Sequence, residues 1–248
     1  MKLNKKVAIV TGAGRNIGEE IAQVFAAEGA FVAVVDNDPG RGERVARAIN
    51  ATTPDHALPL VCDVSSSASV EKMTQAVVKK WGGVDILVNN AAITDRKSIF
   101  DVTEEEWDRV MAVSLKSVFL CTKYVGRIMI DQKRGGRIIN MASTSGHMGR
   151  RDATAYTAAK AGLLNLTRTL AVQLAPHGIR VNSISPNRIG SPVGEDVVPE
   201  NRLVKNLAGR RGTPKDIALA ALFLASDDAD FVVGIDLPVD GGALAARE

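Results

Sequence analysis

Aromatic residues make up only 4% of the 248-residue sequence, cysteine occurs twice, and no apolar stretch approaches the length of a membrane span. Each shortage excludes something. Cys62 and Cys121 both sit inside apolar runs, so they read as small buried hydrophobes rather than a disulfide framework, which fits a reducing cytoplasm. Basic residues never cluster beyond pairs such as Arg150-Arg151 and Arg210-Arg211, and the net charge is +3, so nothing supports nucleic-acid binding. Met1 to Lys6 lead into an apolar run too short for a signal peptide or a bilayer span, so neither secretion nor membrane insertion is expected. His56 and His177 lie in polar contexts without metal-ligand spacing, and no metal site is expected. No linker, repeat or low-complexity tract divides the chain, whose length suits one domain.

What is present is a rhythm. Short β-rich apolar runs at Val7 to Val10, Phe31 to Val35, Leu58 to Val61, Asp85 to Val88, Arg137 to Met141, Ile179 to Ser185 and Ile235 to Val239 predict seven strands. Helical spacing fills the intervals at Ile17 to Glu28, Arg41 to Asn50, Val70 to Trp81, Glu104 to Ile130, Thr154 to Leu174 and Pro214 to Ala225. This alternation predicts an α/β fold: a doubly wound, Rossmann-like, mainly parallel seven-stranded sheet with helices on both faces. Thr103 followed by Glu106 predicts a capping box, and Thr213-Pro214 a second helix start. The polar, pattern-poor stretch 187–212 is expected to form a substrate-binding lid.

The first strand runs into Thr11-Gly12-Ala13-Gly14-Arg15-Asn16-Ile17-Gly18 and then a helix. Glycines at such a turn let a pyrophosphate approach backbone N–H groups at a helix N-terminus. Asp36 ends the second apolar run, where a carboxylate would accept hydrogen bonds from ribose hydroxyls and repel a 2′-phosphate, so NAD is expected in preference to NADP. Arg15 argues mildly the other way, because a loop cation can reach a 2′-phosphate. Asp63 follows the third strand and Asn89-Asn90-Ala91 the fourth, both at the sheet edge where open α/β folds bind ligands.

Tyr156 and Lys160, four residues apart at the start of a helical pattern, share one helix face, and Ser143 lies thirteen residues before the tyrosine. With the glycine loop and Asn89-Asn90-Ala91, these residues make the chain resemble the short-chain dehydrogenase/reductase family, a likeness that extends to Ile179-Arg180-Val181-Asn182 and Val239-Asp240-Gly241-Gly242. The resemblance implies that Tyr156 is the general acid/base, that Ser143 hydrogen-bonds the substrate oxygen, and that Lys160 binds the nicotinamide ribose and lowers the tyrosine pKa. It also implies cofactor contacts from Gly12, Gly14, Arg15, Asn16, Ile17, Gly18, Asp36, Asp63, Val64, Asn90, Ala91, Pro186, Ile189 and Ser191, beside Tyr156 and Lys160. A homotetramer is implied too, with the helices of Glu104 to Ile130 and Thr154 to Leu174 at an interface.

Four departures from the family pattern stand out: Asn16 in place of a loop glycine, Ala92 in place of glycine, Ser114 where many members carry a proton-relay asparagine, and Ser185-Pro186-Asn187 where Pro-Gly is usual. Ser191 replaces a threonine that often contacts the nicotinamide carboxamide. Substrate contacts are expected from Arg96, Ser145, Arg150, Arg151 and Arg188, the guanidinium groups suiting a carboxylate, phosphate or sulfonate, although solvated loop arginines are the plainer reading. His147 is expected to line or pack the pocket rather than catalyse. The expected activity is NAD-dependent interconversion of a small polar secondary alcohol or hydroxy acid and its ketone. An NADPH-dependent 3-oxoacyl-thioester reductase and a catalytically silent NAD-binding sensor are the alternatives.

Overall fold

A computed structural model describes residues 1–190 and 206–246. Seven strands form one sheet: β1 (Val7–Thr11), β2 (Phe31–Asp36), β3 (Ala57–Val61), β4 (Ile86–Asn89), β5 (Gly136–Met141), β6 (Ile179–Pro186) and β7 (Asp236–Val239). They lie in the order β3-β2-β1-β4-β5-β6-β7, and every pairing is parallel. The helices are α1 (Asn16–Ala27), α2 (Pro39–Thr52), α3 (Ser67–Trp81), α4 (Glu104–Met111), α5 (Ser117–Gln132), α6 (Thr154–Leu174) and α7 (Pro214–Ala225).

Alternation along the strands explains how one sheet serves two cores. Ala8, Val10, Val32 and Val34 face the layer of α1, α2 and α7, burying Phe25, Val45 and Ile217 with them. Their neighbours Val7, Ile9, Ala33 and Val35 face α3 and α5, packing with Val70, Val77, Val125 and Met129. Strands covered on both faces are apolar at nearly every position, which is why they read as continuous runs in the sequence.

After β3 the chain returns to pair β4 with β1, so the direction of winding reverses there. That reversal opens a crevice at the C-terminal ends of β1 and β4, the place where such sheets bind ligands. Side chains stitch it. The Thr11 hydroxyl donates to the Val88 carbonyl (3.2 Å) and accepts from the N–H groups of Asn90 (3.0 Å) and Ala91 (3.2 Å). The Asn90 amide donates in turn to the carbonyls of Thr11 and Gly12, both at 3.0 Å.

The helical stretch expected from Glu104 to Ile130 is interrupted by a π-helical turn, Ala112–Lys116, between α4 and α5. One extra residue in the hydrogen-bonded ring leaves no mark on apolar spacing, and such turns gather at functional sites. Among the described residues no helix is long and apolar enough to cross a membrane. Residues 191–205, which include Ser191 and most of the expected lid, lie outside the described residues.

Both expected helix starts carry reciprocal capping boxes. The Glu106 N–H donates to the Thr103 hydroxyl (3.2 Å), and the Thr103 N–H donates to the Glu106 carboxylate (3.1 Å). Thr213 and Asp216 repeat the arrangement at α7. Replacing Thr103 by Ala should lower stability by about 1 kcal/mol, read as a lower urea midpoint with an unchanged slope.

Candidate active site

A single cleft of about 1460 Å³ runs from the glycine loop to the C-terminal end of β6. Pockets for one drug-sized ligand span ~300–1,000 Å³, so this cleft has room for an extended molecule and a second, smaller one.

At its first end lie Gly12, Arg15, Asn16, Ile17 and Gly18. Asn16 adopts φ +51, a left-handed conformation that asparagine tolerates better than most residues. Gly18 has a packing reason: a Cβ there would stand 2.1 Å from the Gly12 carbonyl oxygen. Gly14 sits behind the cleft, where its N–H donates to Asp36 Oδ2 (2.8 Å) and a Cβ would meet that same oxygen at 2.6 Å. Asp36 Oδ1 accepts from the Asp38 N–H (3.0 Å), so two backbone donors lock a carboxylate that is only 8% exposed. Two oxygens offer about four acceptor sites, which leaves capacity for a vicinal diol.

Two arginines outside the sequence expectations shape this end. Arg41 lines the cleft beside Asp36, and Arg44 grips Glu19 with two bonds of 2.7 Å while donating to the Gly14 carbonyl (2.9 Å). Arg44 thus braces the loop from α2, a contact that joins residues 30 apart in the chain and has no local signature. Asp63, Val64, Asn90 and Ala91 continue the lining, with the Asp63 carboxylate held by the Ser65 N–H (2.9 Å) and hydroxyl (2.7 Å).

At the other end Ser143, Tyr156 and Lys160 come together, all buried and all lining the cleft. Ser143 ends the extended segment after β5, and its Oγ accepts from the Ser145 N–H (3.1 Å). The Lys160 Nζ lies 5.5 Å from the Tyr156 ring centre and donates to the Met141 carbonyl (2.6 Å). Burial lowers the Lys160 pKa to about 7. Tyr156 is pulled both ways: burial raises its pKa, while a hydrogen bond from Ser143 and the nearby Arg150 guanidinium lower it. Burial wins within the protein alone, and the downward pull comes from Ser143 and Arg150 rather than from Lys160.

The first turn of α6, which carries Tyr156, is clamped from a loop about 60 residues earlier. Asp95 accepts from the N–H groups of Ala155 (3.0 Å) and Tyr156 (3.2 Å), and the Lys97 carbonyl accepts from the Ala153 N–H (3.0 Å) and the Thr154 hydroxyl (3.1 Å). Helix N-termini leave such donors unpaired, and here no residue preceding α6 caps it: Ala153 is left-handed, φ +105, and offers no side-chain oxygen. Asp95 and Lys97 were missed in the sequence because a cap supplied across the fold has no spacing rule.

Of the residues that depart from the family pattern, Ser114 is the most informative. It sits in the π-helical turn, 1% exposed, donating to the Ile93 carbonyl (2.8 Å) and accepting from the Ile93 N–H (3.1 Å). Ala112 and Val113 are the members of that turn that line the cleft. The expected substrate residues Arg96, Ser145, Arg150, Arg151 and Arg188 all line it, as do Pro186 and Ile189. His147 instead engages Asp236 (2.8 Å) and Ser185 (3.3 Å), both through Nε2, tying the loop after Ser143 to β7. Among the described residues no cluster of three or more His, Cys, Asp or Glu could hold a metal.

The buried ammonium sets a testable sign. Because the folded-state pKa of Lys160, about 7, lies below its ordinary value of 10.5, the unfolded chain binds the extra proton between those limits, so stability rises with pH across that window. Below pH 7 the full penalty applies. Lys160→Met should therefore raise the melting temperature of the cofactor-free protein at pH 6, and the gain should vanish towards pH 10. Melting curves at both pH values check this.

The comparisons with known proteins agree with this geometry. A family model described as enoyl-(acyl carrier protein) reductase matches residues 12–243. The chain is 40% identical to a galactitol 2-dehydrogenase of Agrobacterium fabrum and 35% identical to a sorbitol dehydrogenase of Cereibacter sphaeroides, each over 98% of both chains. It is also 40% identical to a 3-oxoacyl-(acyl-carrier-protein) reductase of Vibrio cholerae, over 98% of both. A crystal structure of a short-chain type dehydrogenase/reductase from Mycobacterium marinum superposes with a TM-score of 0.90 at 35% identity, covering 99% of this chain and 97% of that one. The chain belongs to the short-chain dehydrogenase/reductase family and is an NAD(P)-dependent alcohol/ketone oxidoreductase.

Proposed function

We propose that this enzyme uses NAD(H) to interconvert a small polar secondary alcohol and its ketone. The locked Asp36 carboxylate carries the cofactor preference. Held by the N–H groups of Gly14 and Asp38, it has no freedom to swing away from a 2′-phosphate, and like charges at short range repel strongly in a part-buried site. The residues fit a dinucleotide along the whole cleft: the glycine loop would hold the pyrophosphate, Asp36 the adenosine ribose, Asn90 and Ala91 the middle, and Lys160 the nicotinamide ribose. Lys160 supports the fit, since a 2%-exposed ammonium with three donors finds one hydrogen-bond acceptor among the described residues. Pro186, Ile189 and Ser191 would complete the nicotinamide end.

When bound, the cofactor supplies or takes up the hydride. The chain's own work is with the proton. In ketone reduction Tyr156 gives its phenolic proton to the carbonyl oxygen, which Ser143 holds by a hydrogen bond; in alcohol oxidation the phenolate takes the hydroxyl proton. Burial favours the phenol, so oxidation depends on cations nearby to stabilise the phenolate. Ser114, with its hydroxyl engaged on both sides by Ile93, is not placed to relay this proton, and Lys160, which lines the cleft beside Tyr156, is the group that would pass it on. The relatives named galactitol and sorbitol dehydrogenase support a polyol-like substrate class. A homotetramer in the cytoplasm accords with the family, and the exposed apolar side chains Phe119 on α5 and Val172 on α6 suit a helical interface.

A second reading is favoured by one observation. Arg15 and Arg41 line the same cleft as Asp36, and a pair of guanidinium groups suits a 2′-phosphate, as an NADPH-dependent 3-oxoacyl-thioester reductase would need. Titration with NADH and NADPH decides between them: tighter NADH binding, reversed or levelled by Asp36→Ala, is the expected result. Tyr156→Phe should lower kcat by at least ~10²–10⁴-fold while NADH affinity stays within a few-fold. Arg150→Gln should move the alkaline-rising limb of kcat/KM for alcohol oxidation to higher pH, because it removes a cation that lowers the Tyr156 pKa.

A further inference from the structure

The substrate end of the cleft is more cationic than a neutral polyol requires. Arg96, Arg109, Arg150, Arg151 and Arg188 line it, against Asp108 and Asp152. The chain as a whole carries a formal charge of only +3, so this is a local concentration of guanidinium groups. Arg96 stands out because its backbone is left-handed, φ +49, a conformation that bulky L residues seldom adopt and that persists where neighbours enforce it, often at ligand clamps. Its neighbours do enforce it. Asp95 and Lys97, on either side, are both bonded to the first turn of α6. The segment that presents Arg96 to the cleft is therefore fixed to the turn that carries Tyr156.

Arg150 lines the same cleft from a different segment, the loop after Ser143. Its guanidinium acts electrostatically on Tyr156, and its ion pair with Asp152 (3.1 Å) is exposed, a weak kind of pairing that a better-placed anion displaces at little cost. Ser145, buried and bonded through its N–H to the Ser143 hydroxyl, adds a hydroxyl to the lining. From this geometry we infer that the substrate is an acid: a polyhydroxylated carboxylate or phosphate ester whose anionic group is held by Arg96 and Arg150, several bonds from the carbinol that meets Tyr156 and Ser143. Guanidinium forks pair bidentately with either anion. Because Arg96 and Tyr156 share one anchor, the anion is held at a set distance from the reacting carbon, which selects among hydroxyl groups along a polyol chain. This deepens the dehydrogenase reading and rests on it.

The experiment uses the NADH-loaded enzyme and matched probes: a set of hexitols, the corresponding hexonates and the hexitol 1-phosphates, with affinity measured by calorimetry and turnover measured separately with NAD⁺. At least one hexonate or phosphate should bind roughly tenfold or more tightly than its neutral hexitol, and Arg96→Gln and Arg150→Gln should each remove most of that advantage, raising KM more than they lower kcat and leaving NADH affinity within about twofold. Preference for the hexonate identifies a carboxylate, and for the phosphate a phosphate ester; either supports the inference. Equal or tighter binding of the neutral hexitols, an anion advantage that survives both substitutions, or no binding of any anionic probe overturns it. The dehydrogenase reading falls on a different result: NADH binding without turnover of any alcohol, neutral or anionic.

Discussion

A buried lysine ammonium is the constraint around which the rest of this structure is arranged. Lys160 lies inside α6 with 2% of its surface exposed, bonded to a backbone carbonyl and set over the face of a tyrosine. Burying a charge without a paired carboxylate costs free energy, and the lowered pKa is the measure of it. A fold selected only for stability would place an apolar residue there. The surrounding sheet, packed on both faces by two extensive cores, supplies the stability that tolerates it, a common exchange at active sites. Burial suppresses the Lys160 charge, so an acceptor brought against its Nζ would favour the ammonium again.

The electrostatics along the cleft then divide it into two problems solved in opposite ways. At the end with the glycine loop one carboxylate, Asp36, is immobilised by two backbone donors in a lining that also includes Arg15 and Arg41. At the substrate end arginines outnumber acids. Arg44, on α2 near this loop, is committed to Glu19 and the Gly14 carbonyl.

Much of this was legible in the sequence because it is local. The strands announced themselves as β-branched runs, since burial on both faces leaves no room for polar alternation. Thr103 with Glu106 specified its capping box within four residues, and Asn16 indicated a left-handed loop position that its φ of +51 matches. The elements that stayed hidden are joined through space. Asp95 caps a helix about 60 residues away, Arg44 reaches across from α2 to the loop before α1, and His147 is tied to β7 rather than to the cleft. The π-helical turn was invisible for another reason: it changes hydrogen-bond partners without changing composition or the apolar stripe.

That π-helical turn also explains why a serine suffices at position 114. A side chain at this point must satisfy the N–H and C=O of Ile93, which the loop after β4 leaves without sheet partners. Serine does both with one hydroxyl, donating and accepting, at distances of 2.8 and 3.1 Å. With both its donor and its acceptor engaged there, the hydroxyl acts as a tie between the π-helical turn and the loop after β4. The members of this turn that line the cleft are Ala112 and Val113, whose side chains carry no polar atom, so hydrogen bonds from this part of the wall can come only from the backbone.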